Sequence, residues 1–425
     1  MGLGAAVLGA GFGATVAKPD TRLAYIYTET PRYEPTAWLE GRDRFPSGAT
    51  LILVTGDMLR VLAPEYYASA DAAVSYDGKR VLFSAKRMAA DHWQVWETDL
   101  NGGPPRQITH GESDCLRPLY LPAGEIVYTQ DGSSLEIAAR DGHAQRLTFA
   151  PGRYLTDDVL RDGRILFEMA QNGPRRELYT VYPDGTGVES LRCDHGPDRG
   201  EARQIASGDV IFESGNRLAR FTSAAAGQVE VAQPDRETTG PIAEVAPGMW
   251  LLSLRGKASH FGLYRWNQAD RSAGPQELRD HASAVEPVVV APRVPPKQFP
   301  SARVPTRTAG NLLCLNSRIS RTPIDGAAVH AVRVYTGGGL LGETEVERDG
   351  SFYVQVPSDQ PIRIELTDAA GQTVAAEHGW FWMRPSEQRI CVGCHTGPER
   401  APENKVPEIL LKTIVPVKML EVRQP

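Results

Sequence analysis

The chain has 425 residues, 41% hydrophobic and 23% charged, which is enough for two or three soluble domains with cores of their own. A net charge of −6 argues against a nucleic-acid partner and against an anionic membrane surface. With 41 glycines, 32 prolines and few helical heptads, the composition favours a turn-rich, all-β chain.

Residues 2–17 (GLGAAVLGAGFGATVA) are small, uncharged and apolar, and end in Ala14-Thr15-Val16-Ala17. They fit the apolar core and cleavage site of an export signal, expected over residues 1–18, and are too short and glycine-rich for an integral membrane span. No positive residue precedes them, so a start further upstream fits the same pattern. The alternative is a Gly/Ala tail without structure.

Over residues 19–291 one pattern recurs: a glycine-bearing turn, a short apolar strand, a second strand, then a polar loop. The clearest copy is Asp77-Gly78-Lys79-Arg80-Val81-Leu82-Phe83, followed by Trp93 to Leu100 and Asn101-Gly102-Gly103. The turn glycines are Gly48, Gly78, Gly124, Gly163, Gly208 and Gly248. A spacing near 40 residues is the period of four-stranded propeller blades, whose two apolar faces are buried only when blades stack in a ring. Six turns predict a six-bladed β-propeller. The repeat resembles that of the Tol-system periplasmic propeller, whose strand-ending pattern is matched by Gln107-Ile108-Thr109 and Arg146-Leu147-Thr148. A β-sandwich with accidental periodicity is the competing reading.

Residues 292–310 hold five prolines and no apolar alternation, which predicts a semi-rigid linker. Residues 311–383 read as a small β-sandwich. Asp349-Gly350 is a tight turn into the alternating strand Ser351 to Val356, and Asp368 to Gly371 make another. The strand order resembles prealbumin-like or carboxypeptidase-regulatory-like sandwiches. Trp380-Phe381-Trp382 suits either the sandwich core or an apolar wall for a cofactor.

Residues 384–425 contain Cys391-Val392-Gly393-Cys394-His395. C-x-x-C-H is the attachment signature of one haem c: Cys391 and Cys394 form thioethers to the vinyl groups, and His395 is an axial iron ligand. C-x-x-C alone also suits a zinc knuckle or a redox dithiol, but no second ligand pair follows at short spacing. Prolines 398, 402 and 407 prevent a long helix after the motif. The haem therefore has to sit at an interface built by the sandwich, the tail and the propeller. Of the other cysteines, Cys115, Cys193 and Cys314 read as buried thiols, with one disulfide, such as Cys115 with Cys193, or a zinc role for Cys314 as alternatives.

The run Asp349-Gly350-Ser351-Phe352-Tyr353-Val354, with Trp380-Phe381-Trp382, Arg384-Pro385, Arg389, the C-x-x-C-H site and Ala401-Pro402-Glu403-Asn404, resembles the hydrazine synthase alpha subunit family. The likeness is specific over about residues 310–407 and looser over the propeller. It implies a propeller, a middle domain and haem attachment by Cys391, Cys394 and His395, with tyrosine ligation and a nearby zinc in the family. No tyrosine follows His395, and the sequence has a single C-x-x-C-H, so the expectation is a shortened, single-haem member.

The sixth iron position decides function: a sixth protein ligand makes a closed electron-transfer centre, and an open position admits small molecules. His260, His378 and Met383 are the candidates, with Met419 and His281 behind them. A propeller histidine is favoured, because the last blade is the one tethered to the linker. His92, His110, His143 and His195 read as surface residues. The first expectation is an exported, periplasmic single-haem cytochrome that passes electrons to a redox partner, with the propeller as docking scaffold. The alternatives are a haem enzyme acting on a small nitrogen or oxygen compound within a larger complex, and a binding module with a structural haem.

Overall fold

The computed structural model describes residues 23–139, 143–192, 196–225, 227–255, 260–275, 282–320, 323–393 and 404–419. Six four-stranded antiparallel sheets form the propeller. Their innermost strands are Ala68–Val74, Cys115–Tyr120, Arg153–Val159, Arg199–Gln204, Thr238–Ala246 and Ser283–Val289. The last of these pairs with Ala24–Thr30, so the first blade is closed by the end of the propeller sequence.

Strand Arg80–Lys86 illustrates why such sequences make blades. Val81 and Phe83 pack with Leu51 and Leu53 of the preceding blade, while Leu82 packs with Tyr120 and Tyr128 of the following one. Alternate residues of a strand point to opposite faces, and here both faces are covered, so the strand is apolar throughout. Each such side chain contributes about 1.5–3 kcal/mol of burial.

Six blades are present, yet the six glycines are not equivalent. Gly78, Gly124, Gly163, Gly208 and Gly248 join the innermost strand of a blade to the next one outward. Gly48 precedes Thr50–Thr55, the third strand of the closing blade, whose innermost strand comes from the other end of the domain. The ring closure shifts the frame of that copy by one strand.

Each innermost strand carries a register shift near its middle. The residues there are Asp71, Arg117, Asp157, Glu201, Gly240 and Glu286, and all but Asp157 have left-handed backbone. A bulge re-aims a side chain, and at the centre of a ring it puts these six residues, five of them with side chains, around one axis.

The linker is a strap across one face of the propeller. Arg293 N donates to Tyr76 O (2.9 Å), Lys297 N donates to Arg161 O (3.2 Å), and Phe299 meets Tyr182 edge-on. The Lys297 carbonyl passes so close to Gly163 that a Cβ there would lie 2.2 Å from it. The sandwich follows. One sheet has the order Gln388–Cys391, Ala309–Cys314, Phe352–Pro357, Val417–Lys418; the other has Gly339–Glu345, Ala331–Thr336, Ile362–Thr367, Thr373–Ala376. Leu312, Val332, Val334, Phe352, Val354 and Ile362 fill the space between them. Among its described residues, the segment after residue 384 thus supplies two strands to the sandwich and a five-residue helix, Glu408–Lys412.

Candidate functional site

The C-x-x-C-H motif starts on a sheet edge. Gln388–Cys391 runs parallel to Ala309–Cys314, with Cys391 directly beside Cys314, and Leu315 N donates to Cys391 O (2.8 Å). Strand alternation turns Cys391 toward the sandwich core and leaves Ile390 63% exposed. A hydrogen bond from the Cys314 thiol lowers the Cys391 pKa to about 7, against the upward push of burial. Such a thiol is partly thiolate at neutral pH, the form that reacts. Gly393 then turns the chain in left-handed backbone, and a Cβ there would lie 2.5 Å from Asn316 O. Glycine is therefore required between the two motif cysteines. Cys394 and His395 lie outside the described residues, as do Cys193, His195, His281 and the expected signal over 1–18.

The described half of the motif fits covalent haem attachment: a partly ionised thiol followed by a tight turn at the exposed end of a strand. Among the described residues, no third His, Cys, Asp or Glu joins Cys314 and Cys391 in a metal-sized cluster. Cys115 is buried in the propeller, where desolvation pushes its thiol up to about 12.

The expected sixth ligands are scattered. Met383 is fully buried in the sandwich core, and Met419 is buried there too. The His378 Nε2 lies 2.8 Å from Arg175 Nη2 and 3.4 Å from Glu177 Oε1 on the propeller. His260 lies beside strand Phe261–Asn267, on the blade that begins at Thr238.

The blade holding His260 is not the one the sandwich grips. The docking contacts fall on the blade of residues 153–190 and the loop before it. Gln171 exchanges two hydrogen bonds with the Trp380 backbone (2.6 and 2.7 Å). Trp382 Nε1 donates to Gly185 O (3.0 Å), and Gly187 N donates to Glu387 Oε1 (2.9 Å). The Arg384 guanidinium stacks 4.5 Å over Phe149. Nor does the tether leave from the blade of His260: it follows Ser283–Val289 of the closing blade, and the strap carries the sandwich across to the blade of residues 153–190. Trp382 also departs from both sequence expectations: it is inserted into the propeller's own core with Leu121, Leu147, Tyr154 and Phe167. Phe381 bridges that cluster and the sandwich core.

Two further features escaped the sequence reading. A cleft of about 1020 Å³ between the second and third blades is lined by Tyr76, His110, Cys115, Tyr120 and Tyr128, and none of its lining residues belongs to the sandwich. The second is the propeller axis. Arg44 pairs with Asp71 and, at 2.8 Å, with Glu286, which also accepts from Tyr33 (2.9 Å). Arg117 pairs with Glu201, with Asp157 (3.2 Å) and with Glu286 (3.2 Å), and Arg176 holds Glu168 (3.2 Å). The available signal was a charged residue inside an apolar strand at one point of the repeat, followed by proline in Arg117-Pro118 and Glu286-Pro287.

Fold and motif together define a class: a six-bladed propeller joined to a β-sandwich that carries a C-x-x-C-H segment. Residues 320–396 match the family model described as the hydrazine synthase alpha subunit middle domain. The hydrazine synthase subunit alpha of Kuenenia stuttgartiensis is 20% identical over 548 residues of alignment, covering 88% of this chain and 66% of that protein. The chain thus spans just under two thirds of that relative's length. The solved Kuenenia stuttgartiensis hydrazine synthase superposes with a TM-score of 0.80 at 17% identity, over 92% of this chain and 72% of that one. A TolB homolog of Protochlamydia amoebophila is 28% identical over 160 residues, 32% of this chain and 34% of its own length. The chain is thus similar to the hydrazine synthase alpha subunit along most of its length, and residues 320–396 carry the match to its middle domain. Among the described residues no helix is long and apolar enough to cross a membrane.

Proposed function

We propose that this chain is the haem-bearing subunit of an exported complex that converts a small nitrogen compound. Haem c would be held by Cys391 and Cys394, with His395 as axial ligand. The observation that carries this reading over a closed electron-transfer centre is the fate of the nearby sixth-ligand candidates. Met383 and Met419 are packed into the sandwich core, and His378 is engaged by Arg175 and Glu177. With these described candidates engaged elsewhere, the reading adopted is an open iron position, with His260 as the alternative ligand. The haem, once bound, supplies redox chemistry and a coordination position for a small ligand.

The chain's own residues prepare that site. Cys314 keeps the Cys391 thiol partly ionised for thioether formation, and Gly393 turns the motif back against the loop at Asn316. Gln171, Gly185 and Gly187 fix the sandwich on one blade, which holds the motif at a set distance from the propeller. An extracytoplasmic location goes with this reading, because bacterial attachment of haem to C-x-x-C-H takes place outside the cytoplasmic membrane. So do a redox partner and further subunits.

The test is an optical spectrum of protein matured with a c-type haem apparatus, oxidised and reduced, with and without carbon monoxide. A high-spin haem that binds carbon monoxide is expected. A six-coordinate, unresponsive haem would return the chain to electron transfer, with His260→Ala as the first variant to examine. Absence of covalent haem would overturn the reading.

A further inference from the structure

Five carboxylates, Asp71, Asp157, Glu168, Glu201 and Glu286, meet three guanidinium groups, Arg44, Arg117 and Arg176, around the propeller axis, each with a side chain at most 6% exposed. Two negative charges are left over. Arg203, 24% exposed, reaches Asp157 from the rim (3.9 Å), and Asp198, 38% exposed, takes the outer side of Arg176. These two rim charges offset each other. Burial of uncompensated charge is costly, so the surplus demands either protons or a counter-ion.

The surplus is concentrated at one place. Asp157, Glu168 and Glu201 each bring an oxygen within 4.8 Å of the others. Oxygens that share one ion at 2.3–2.6 Å, the usual calcium–oxygen distance, are about that far apart or closer. The known hydrogen bonds do not exhaust the cluster. Glu168 Oε1 accepts from Glu201 N (2.7 Å) and lies 3.8 Å from Arg117, its Oε2 pairs with Arg176, and Arg117 takes one oxygen each of Asp157 and Glu201. Asp157 Oδ2 and Glu201 Oε1 have no partner, although both side chains are fully buried. A small cavity, about 20 Å³ and lined by Asp157, Arg117, Arg203 and Glu286, leaves room for a water-sized particle beside Asp157.

We infer that Asp157, Glu168 and Glu201 form a binding site for one hard divalent cation, of the calcium class, on the propeller axis. All donors are carboxylate oxygens, which suits calcium, magnesium or manganese and disfavours zinc or copper. Two positive charges equal the surplus. The site lies in the propeller and does not depend on haem. It acts as a cross-link between the blades of residues 153–190 and 199–230, whose strands supply all three ligands.

The full chain, stripped with EDTA, is titrated with Ca²⁺ by calorimetry, with Mg²⁺ and Mn²⁺ in parallel. One equivalent of cation per chain is expected, with a Tm rise of about 5 °C at saturating Ca²⁺. Asp157→Asn should abolish binding. In EDTA it should melt above the wild type, because one repelling charge is gone, and Ca²⁺ should no longer move its Tm. Glu168→Gln and Glu201→Gln give the same pattern, so a single variant that fails to fold does not stop the test. A wild type that binds no divalent cation and melts alike in EDTA and Ca²⁺ overturns the site; its surplus is then held as protons. Binding that survives in all three variants also overturns it.

Discussion

The propeller and the sandwich treat their interiors in opposite ways. Between its blades the propeller is apolar, but along its axis it buries Asp71, Arg117, Asp157, Glu201 and Glu286. The sandwich keeps its middle apolar, from Leu312 to Ile362, and puts its reactive groups, Cys314 and Cys391, at neighbouring positions near one edge. The difference follows from geometry. Two sheets facing each other interdigitate side chains and leave no gap. Six strands that converge on an axis cannot do so, and bulges turn the leftover positions inward. Charge that would be a defect in the sandwich becomes a cross-link in the ring.

Four experiments test this difference. The largest effect is expected at the sandwich edge: Cys391→Ala with Cys394→Ala should remove covalent haem completely, read by haem staining of the denatured protein, while the sandwich core still folds. At the axis, Arg117→Met should destabilise the propeller by about 3–5 kcal/mol in denaturant titrations, because it strands Asp157, Glu201 and Glu286. A change below about 1 kcal/mol would mean that the ring tolerates unpaired charge and that the contrast with the sandwich is empty. Where the domains meet, Trp382→Ala should cost about 3–5 kcal/mol and split a single unfolding transition into two.

The smallest effect concerns pH. Burial raises the Glu387 pKa above the ordinary glutamate range. Its folded form holds a proton that the unfolded chain has already released, so stability is greatest below that range and falls as pH rises through the raised pKa. Glu387→Gln should flatten this fall in Tm against pH. An unchanged profile would remove Glu387 from the interface's account.

The blade repeat and the C-x-x-C-H pattern were legible in the sequence because both are local: a turn glycine every forty or so residues, and five consecutive residues at fixed spacing. The axis was not legible. Arg117 or Glu286 in a strand reads as an irregularity until six strands are laid beside one another. The docking site was hidden for another reason. A proline-rich stretch tells how far a domain can reach, whereas the landing point depends on Gln171, Gly185 and Gly187, which lie about 200 residues away in sequence. Trp382 was ambiguous because a buried indole looks the same in any core.

The closing strand has a kinetic consequence. Tyr33 and Glu286, 253 residues apart, are joined across the seam, and Ser283–Val289 completes the first blade. Pairings so distant in sequence form late, after the entropy of a very long loop has been overcome. The strap starts immediately after that strand, and the sandwich lands on a blade that is already whole. Within the propeller, the seam is therefore expected to close after the individual blades, so the ring is sealed by the same strand from which the strap departs.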